Sequence, residues 1–443
     1  MIASVDEGFS YLESFTNFER MTGKTRPWRL ERMAALCTRT NHPEREFSAF
    51  HIAGSKGKGS TATFLAALVQ ATGSSPGLYT SPHLENYRER ITLAGSFFND
   101  TNYLTGLRWI EGVVESIKAE GKSGDDLPST FELLTLLAFR LFSGLDWAVL
   151  ETGLGGRLDA TNVVTPRCTL ITPIELEHTE YLGETIPEIA GEKAGIIKAD
   201  IPVLTAPMRP EARAVIHRRA KEVGATHLPY EEAIEEYAIR LSRRGTEVEA
   251  KVLGVDTAFR LPVIGARQAR NALLATAAAL HIFPELLPEQ IETALSRVSL
   301  PGRMELFPGS SGSTPIILDG AHTPDSVAFL RESVGELFPP PWLLIFGTLR
   351  GKNTEAMAEE LIPALGEVVI ARPASFRSSD LSANAAPFRA AGIPTTILEE
   401  PEYAVEQAEA SAVAKGYSAI VVTGSFYLAG FFRTLIMAHR KTE

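Results

Sequence analysis

A glycine-rich segment with two lysines follows the apolar stretch at residues 47–53. Residues 54–61 read GSKGKGST. Glycines let backbone N–H groups approach phosphate oxygens, and a helix that begins here adds a favourable dipole. Lys58 would supply a cation, and Ser60 a hydroxyl ligand for a phosphate-bound Mg²⁺. The spacing GxxGKGS departs from the strict GxxxxGK[ST] pattern, so a flexible turn with a solvated lysine is the alternative, but the strand-to-helix context favours phosphate binding.

Three further segments place acidic or imidazole side chains at the ends of predicted strands or shortly after them. Glu151 ends the apolar stretch 146–151. Because ligands of open α/β sheets bind at the carboxyl edge, this carboxylate could hold Mg²⁺ opposite the glycine loop, or simply cap the next turn. His178 lies among four acids, which suits either a metal ligand or an ion pair. Asp319 and His322 end another strand, where the aspartate fits a ribose hydroxyl contact or an ordinary Asp turn.

These residues need strands and helices that bring them to one sheet edge. Short apolar runs alternate with stretches of helical length, which predicts parallel sheets covered by helices. Strands are predicted at residues 47–53, 146–151, 168–172 and 201–204 and, in a second series, at 314–319, 341–347, 366–371, 394–398 and 418–424. Helices are predicted at 61–73, 129–144 and 268–283, and a small antiparallel appendage at 226–262.

The predicted elements divide into two series. Pro and Gly interrupt the helical pattern at residues 299–306, which marks the boundary. We therefore predict an α/β protein of two domains. Residues 1–298 would form a P-loop mononucleotide-binding domain with a parallel sheet, and residues 299–443 a smaller Rossmann-like α/β domain. The length of 443 residues agrees with two or three domains.

Composition excludes several classes of protein. The 43 basic and 54 acidic residues give a net charge of -11, which disfavours a duplex-binding surface. Two cysteines, Cys37 and Cys168, cannot build a disulfide framework or a clustered zinc site. No apolar window is long enough to span a membrane, and the acidic start does not fit a secretion signal. We therefore expect a cytoplasmic protein that binds neither nucleic acid nor membranes.

Seven segments, taken together and in order, resemble one family. They are HIAGSKGKGST, TSPHLENYRERI, DWAVLETGLGGRLDATN, EHTEYLGETIPEIAGEKAGIIK, LPGRMEL, DGAHTP and TGSFYLAG, spread from about residue 50 to residue 430. The set resembles the folylpolyglutamate synthases and bifunctional dihydrofolate synthases of the Mur ligase superfamily. This resemblance implies a monomeric, ATP- and Mg²⁺-dependent ligase. Such an enzyme adds L-glutamate to a folate, and in bifunctional members also to dihydropteroate, through an acyl phosphate.

The resemblance also implies roles for individual residues. The residues implied to bind ATP are Gly54, Gly57, Lys58, Gly59, Ser60, Thr61, Asn271, Arg303 and Asp319. The implied ligands of two Mg²⁺ ions are Ser60, Ser81, Glu151 and His178, and the histidine binds the second ion. Substrate binding falls on Ser81, Pro82, His83 and Arg88 near the pterin, and on His322 and Ser425 at the glutamate side. The implied catalytic set is Lys58, Glu151, His178, Lys193 and His322. A lone lysine is ordinarily solvated, but Lys193 matches the family lysine that becomes carbamylated.

The chain departs from the family pattern at three positions. Arg267 stands where the family usually has histidine, Thr323 where it has asparagine, and Glu177 where it has aspartate. These positions concern the nucleotide base, the glutamate or ribose geometry, and the second metal. Two alternatives remain at this point: a P-loop kinase or NTPase with another substrate, and a non-catalytic nucleotide-binding relative.

Overall fold

The structure is a computed structural model, and it describes residues 1–17, 29–309, 313–373, 378–399 and 403–439. Its strands form an eight-stranded sheet, a three-stranded sheet and a six-stranded sheet. The first two belong to the N-terminal part of the chain, and the third belongs to the C-terminal part. The prediction of two α/β units in series is therefore confirmed.

The large N-terminal sheet carries the glycine loop at its centre. Its strands are β1 (Ser48–Ala53), β2 (Gly77–Tyr79), β3 (Ile91–Leu93), β4 (Ser96–Phe97), β5 (Trp147–Glu151), β6 (Cys168–Ile171), β7 (Val203–Thr205) and β8 (His227–Pro229). They lie in the order β4-β3-β2-β5-β1-β6-β7-β8. All are parallel except β3 and β4, which form an antiparallel edge. Because β5 and β6 flank β1, the segments that follow these three strands meet at one edge.

Helices cover both faces of this sheet. They are α1 (Val5–Glu13), α2 (Leu30–Arg39), α3 (Lys58–Ala71), α4 (Asp100–Ala119), α5 (Thr130–Phe142), α6 (Thr179–Leu182), α7 (Ile186–Ala194), α8 (Pro210–Glu222), α9 (Tyr230–Ala233), α10 (Ala266–Ile282) and α11 (Pro288–Leu295). The central helices α3 and α10 are apolar over most of their surface and share one hydrophobic core with the sheet. That burial fixes the start of α3, and with it the glycine loop.

The appendage is smaller than predicted. It consists of the antiparallel strands β9 (Ile234–Ser242), β10 (Gly245–Val252) and β11 (Val255–Leu261). The start of the predicted segment 226–262 belongs elsewhere, because β8 pairs in parallel with β7 in the large sheet. Sequence alternation does not separate a short parallel edge strand from the hairpin that follows it.

The C-terminal unit is a mostly parallel sheet with helices on both faces. Its strands are β12 (Glu305–Phe307), β13 (Ile316–Leu318), β14 (Trp342–Phe346), β15 (Leu365–Ala371), β16 (Thr395–Leu398) and β17 (Ile420–Thr423), in the order β12-β13-β17-β14-β15-β16. Only β12 runs antiparallel to its neighbour. The helices are α12 (Pro324–Leu337), α13 (Thr354–Leu361), α14 (Leu381–Ala390), α15 (Ala404–Lys415) and α16 (Phe426–His439). Two hydrophobic clusters fill the sheet's two faces.

The loop between β2 and β3 joins the two units. Leu84 of this loop is buried within one of the C-terminal hydrophobic clusters. Beside it, the Glu85 carboxylate accepts a hydrogen bond of 2.9 Å from Arg433 of α16. These contacts close one side of the space between the sheets. Within the described residues, no helix combines the length and apolar character needed to cross a bilayer.

Candidate active site

A cleft of about 830 Å³ opens between the two units, at the carboxyl ends of their parallel strands. Both units contribute to its walls. The sequence-predicted site residues that line it are Gly57, Lys58, Gly59, Ser60, Ser81, Pro82, Glu151, His178, Asn271, Arg303, Asp319, His322 and Ser425. The fold thus gathers residues that are up to 368 positions apart in the sequence, from Gly57 to Ser425, around one enclosed space.

The glycine loop connects β1 to α3 and faces the cleft. Gly57 caps α3 with φ +85°, in the left-handed region that favours glycine. A side chain here would also collide with Asn271, since a Cβ atom would lie 2.6 Å from the amide oxygen. The Lys58 ammonium donates a hydrogen bond of 3.1 Å to the Gly54 carbonyl oxygen. The loop therefore presents a helix N-terminus and a cation to the cleft, which suits a polyphosphate.

Glu151 lies next to this loop at the end of β5. It is 3% exposed, and its carboxylate accepts a hydrogen bond of 2.9 Å from the Ser81 backbone N–H. A Cβ atom on Gly59 would lie 3.2 Å from the same carboxylate oxygen. The close approach of Glu151 to the glycine loop therefore favours glycine at this position. Burial raises the pKa of Glu151, while the nearby Lys58 charge works in the opposite direction. A buried carboxylate facing a phosphate loop is a suitable cation ligand.

Glu177, His178 and Lys193 form a second charged group beyond β6. The Lys193 ammonium is almost fully buried and donates to Glu177 at 3.0 Å and to the Gly54 carbonyl oxygen at 2.7 Å. Burial lowers the pKa of Lys193 to about 8, although Glu177 opposes the shift. Burial tends to raise the pKa of Glu177, but the charges of Lys58 and Lys193 outweigh it, so that pKa is lowered. Burial also lowers the pKa of His178, which favours the neutral imidazole that binds metals.

The opposite wall comes from the C-terminal unit. Asp319 follows β13, and its carboxylate accepts hydrogen bonds of 2.8 Å from the backbone N–H groups of Met304 and Ala321. Burial raises the pKa of Asp319, opposed by Arg303. The Arg303 guanidinium lies 4.5 Å from the centre of the Phe426 ring, which orients it at the cleft. Burial lowers the pKa of His322 to about 4.

Comparisons with known proteins agree with this geometry. The family model described as the Mur ligase middle domain matches residues 52–279, and the model of the Mur ligase glutamate ligase domain matches residues 302–426. A dihydrofolate synthase/folylpolyglutamate synthase of Bacillus subtilis is 35% identical over 343 residues, which cover 75% of this chain and 78% of that relative. This chain belongs to the Mur ligase family, in its folylpolyglutamate synthase branch.

Other members of the branch match more of the chain. A dihydrofolate synthase/folylpolyglutamate synthase of Mycobacterium tuberculosis is 32% identical over 448 aligned residues, covering 92% of this chain and 89% of the relative. A structure described as Mycobacterium tuberculosis folylpolyglutamate synthase complexed with ADP has a TM-score of 0.87 at 29% identity and covers 98% of each chain. The two-sheet architecture is therefore that of the Mur ligase family.

Five residues predicted for the site do not line the cleft. Gly54 and Lys193 lie behind its wall and contact each other there. His83 lies one contact away, because its Nδ1 accepts a hydrogen bond of 2.8 Å from Arg90. Thr61 is fully buried within α3, and Arg88 pairs with Asp6 and Asp100, so neither residue lines the cleft.

Several cleft residues were missed in the sequence. Lys56, Tyr87, Arg90 and Glu132 line the cleft alongside the predicted residues. Lys56 and Arg90 fall within the segments GSKGKGST and TSPHLENYRERI, so proximity to a motif was the available signal. In the second segment Arg90, not Arg88, turns inward, because β3 begins immediately after it and buries it to 2% exposure.

The three departures from the family pattern are accommodated by local contacts. The Arg267 guanidinium stacks 4.3 Å from the centre of the Phe329 ring, across the cleft. The Thr323 side chain caps α12 by accepting a hydrogen bond from the Ser326 N–H. Glu177 reaches the Lys193 ammonium. Each side chain has a defined place, and none of them blocks the glycine loop.

The residues present fit Mg²⁺ better than a softer metal. Among the residues that the structure describes, no three His, Cys, Asp or Glu side chains cluster as a complete cation cage. Mg²⁺ is held in nucleotide sites by one or two carboxylates together with substrate phosphates and water. Glu151, with the hydroxyls of Ser60 and Ser81 on the same cleft wall, matches that donor set.

Proposed function

We propose that this protein is an ATP- and Mg²⁺-dependent ligase that joins L-glutamate, through an amide bond, to the carboxyl group of a folate. Dihydropteroate is a further proposed acceptor of glutamate, because relatives of this chain are named dihydrofolate synthase/folylpolyglutamate synthase. The observation that carries the proposal is the single cleft in which a phosphate loop, a buried carboxylate and the glutamate ligase domain meet. Membership of this ligase family also disfavours a kinase or a binding-only protein.

The proposed chemistry makes a poor acyl donor reactive. A folate carboxylate oxygen attacks the γ-phosphorus of ATP, so that ADP leaves and an acyl phosphate forms. The amino group of glutamate then attacks the acyl carbon and releases phosphate. Because the reacting groups carry several negative charges, the protein must mainly position and neutralise them.

The chain's residues divide this work between the two walls. Lys58 and the backbone of Gly57 and Gly59 bind the phosphates, and Arg303 approaches them from the C-terminal domain. Asn271 contacts the adenine or the phosphates, and Asp319 contacts the ribose or a phosphate. Ser81, Pro82 and Arg90 face the folate, and His322 and Ser425 face the incoming glutamate. Each lines the same cleft, which supports these roles.

Two Mg²⁺ sites are proposed beside the phosphates. Ser60, Ser81 and Glu151 would hold one ion and His178 the other, and bound Mg²⁺ would neutralise phosphate charge. We propose that Lys193 is carbamylated in the active enzyme. Carbamylation requires the neutral amine, and burial lowers the pKa of Lys193 to about 8. A carbamate beside Glu177 would place two anions together, which a cation in the site would stabilise.

The remaining expectations are also proposals. We assign the domain boundary to residues 298 and 299, near the break between the two family matches. We propose that the protein acts as a monomer in the cytoplasm. The two buried free cysteines, Cys37 and Cys168, agree with a reducing compartment.

The test is a substrate screen with the purified protein. Each pterin is incubated with MgATP, with and without L-glutamate, and the products are analysed by mass spectrometry. We expect ADP, phosphate and a folate carrying added glutamyl units, formed only when all substrates are present. Lys58→Met should abolish the product, whereas Lys221→Met, an exposed position on α8, should not. A stable phosphorylated product without glutamate would instead indicate a kinase.

A further inference from the structure

Lys56 is a second lysine of the glycine loop, and the roles proposed above do not use it. Its backbone is fixed to the segment after β6: the Pro173 carbonyl oxygen accepts hydrogen bonds from Ser55 N–H at 2.9 Å and from Lys56 N–H at 3.3 Å. The Ser55 hydroxyl adds a hydrogen bond of 3.1 Å to the Glu175 carbonyl oxygen. Lys56 therefore has a defined position on the cleft wall.

The three lysines around the loop differ in their partners. Lys58 and Lys193 both donate to the Gly54 carbonyl oxygen, and Lys193 also pairs with Glu177. For Lys56, by contrast, the described part of the chain supplies no hydrogen bond or ion pair to the ammonium. Lys56 lines the cleft, and burial lowers the pKa of its ammonium. Because a partly buried cation without a protein partner gains from pairing, this position favours an anionic ligand.

The position of Lys56 differs from that of the Glu151 carboxylate in the acidic and imidazole groups around it. The cations acting on the Glu151 carboxylate are Lys58, Arg303 and Arg90. Lys56 lies toward β6, because its backbone N–H donates to the Pro173 carbonyl oxygen, and the charges of Glu177 and Glu175 act on its ammonium ahead of those of Lys58 and Arg303. It also acts, together with Lys352, on His322 of the opposite domain. Lys56 thus lies on the β6 side of the glycine loop and close enough to His322, on the wall proposed for glutamate, to act on it.

We propose that Lys56 binds a carboxylate group of the incoming amino acid and is a specificity-determining residue for that substrate. The proposal rests on the ligase function above. An amino acid acceptor must present a free amine to the acyl phosphate, so its carboxylates are the groups that the protein can hold. With Lys56 on the loop and His322 opposite, recognition of the amino acid would involve both domains.

The first experiment replaces the charge and measures each substrate separately. Lys56→Met keeps the length of the side chain and removes its charge, Lys56→Arg keeps the charge, and Lys221→Met is the matched control. We expect Lys56→Met to raise KM for glutamate roughly 10- to 100-fold, the effect of losing one charged hydrogen bond. Lys56→Arg should recover much of the loss, and KM for ATP should change less than about twofold. A rise in KM for ATP alone, or no change in either KM, would overturn the proposal.

A second experiment uses acceptors that lack carboxylates. Hydroxylamine captures the acyl phosphate by attack of its nitrogen on the acyl carbon, which breaks the bond to phosphate and leaves a hydroxamate. We expect Lys56→Met to form hydroxamate at the native rate, even if it is inactive with glutamate. Loss of hydroxamate formation in the variant would assign Lys56 to phosphoryl transfer and overturn the proposal.

Two amides of glutamate identify the contact. In glutamine the γ-carboxylate is replaced by an amide, and in isoglutamine the α-carboxylate is replaced. The effect of Lys56→Met on kcat/KM should disappear with one of these acceptors and persist with the other. An equal effect on both would show that Lys56 touches neither carboxylate. If the native protein forms neither hydroxamate nor a glutamyl product, the ligase function itself fails, which is a different outcome from failure of the Lys56 contact.

Discussion

Replacing Gly57 by alanine tests whether the loop conformation is required for nucleotide binding. The change adds a single methyl group at the N-cap of α3. That methyl group meets two obstacles: a backbone φ of +85°, which L-residues adopt at a cost, and the Asn271 amide oxygen at 2.6 Å. Relief of either obstacle moves the backbone N–H groups that are proposed to bind phosphate.

The magnitude follows from these two obstacles. Left-handed backbone costs a non-glycine residue about 1–2 kcal/mol. Displacing Asn271 also disrupts its 3.3 Å hydrogen bond to Gln268, worth about 0.5–1.5 kcal/mol. We expect the free energy of unfolding to fall by about 2–3 kcal/mol. If the loop relaxes by turning its N–H groups, the affinity for ATP should fall about tenfold or more, since 1.4 kcal/mol corresponds to a factor of ten.

Urea unfolding and calorimetric titration with a non-hydrolysable ATP analogue measure these two effects. Gly112→Ala is the matched control, because Gly112 lies within α4 and a Cβ atom there meets nothing within 4 Å. This control should stabilise the protein by up to about 1 kcal/mol. Adding Asn271→Ala to Gly57→Ala should remove the steric part of the loss in stability and leave the φ part. Unchanged stability and unchanged nucleotide affinity in Gly57→Ala would refute the reasoning.

Other predictions concern the charged groups. Glu151→Gln should raise the Mg²⁺ concentration needed for half-maximal activity by at least about tenfold. The control Glu232→Gln, at an exposed position, should leave that concentration unchanged. Equal Mg²⁺ dependence of the two variants would exclude Glu151 as a ligand. Lys193→Ala should lower activity by about 100-fold or more. Removal of CO₂ and bicarbonate should slow the native protein but not this variant. Full activity of the variant would exclude carbamylation. Burial lowers the pKa of His51 to about 3. Below about pH 6.5 the unfolded chain therefore binds a proton that the folded chain does not, and His51 costs roughly 2 kcal/mol of stability at pH 5. His51→Gln, with exposed His281→Gln as control, should flatten the decline in urea midpoint between pH 6.5 and 4, and an unaltered slope would disprove the assignment.

Sequence patterns located the elements with strong local signals. The long helices α3, α5 and α10 and the apolar strands of both sheets lie within a few residues of their predicted positions. The edge strands escaped prediction because they are two or three residues long, and pairing with a neighbour, rather than local composition, makes them strands. The same reason explains why β8 was assigned to the appendage.

Site residues show the same division. Lys58, Glu151 and Asp319 could be located because each lies at or within a few residues of the end of a predicted strand, and parallel strands bring their carboxyl ends together. The sequence could not show whether Arg88 or Arg90 turns inward. The start of β3, immediately after Arg90, decides between them. Lone lysines are ordinarily solvated, so the sequence did not indicate that Lys193 is only 1% exposed. Its burial depends on contacts with Glu177 and Gly54, which are not its neighbours in the sequence.

We propose that this cleft activates a carboxylate by transferring a phosphoryl group to it. The most direct measurement uses a folate whose reacting carboxylate carries ¹⁸O, together with MgATP and L-glutamate. Attack by that oxygen on the γ-phosphorus, followed by cleavage of the acyl carbon–oxygen bond, predicts one ¹⁸O atom in each phosphate released. Phosphate that contains no ¹⁸O, while glutamyl product forms at the normal rate, would contradict the account.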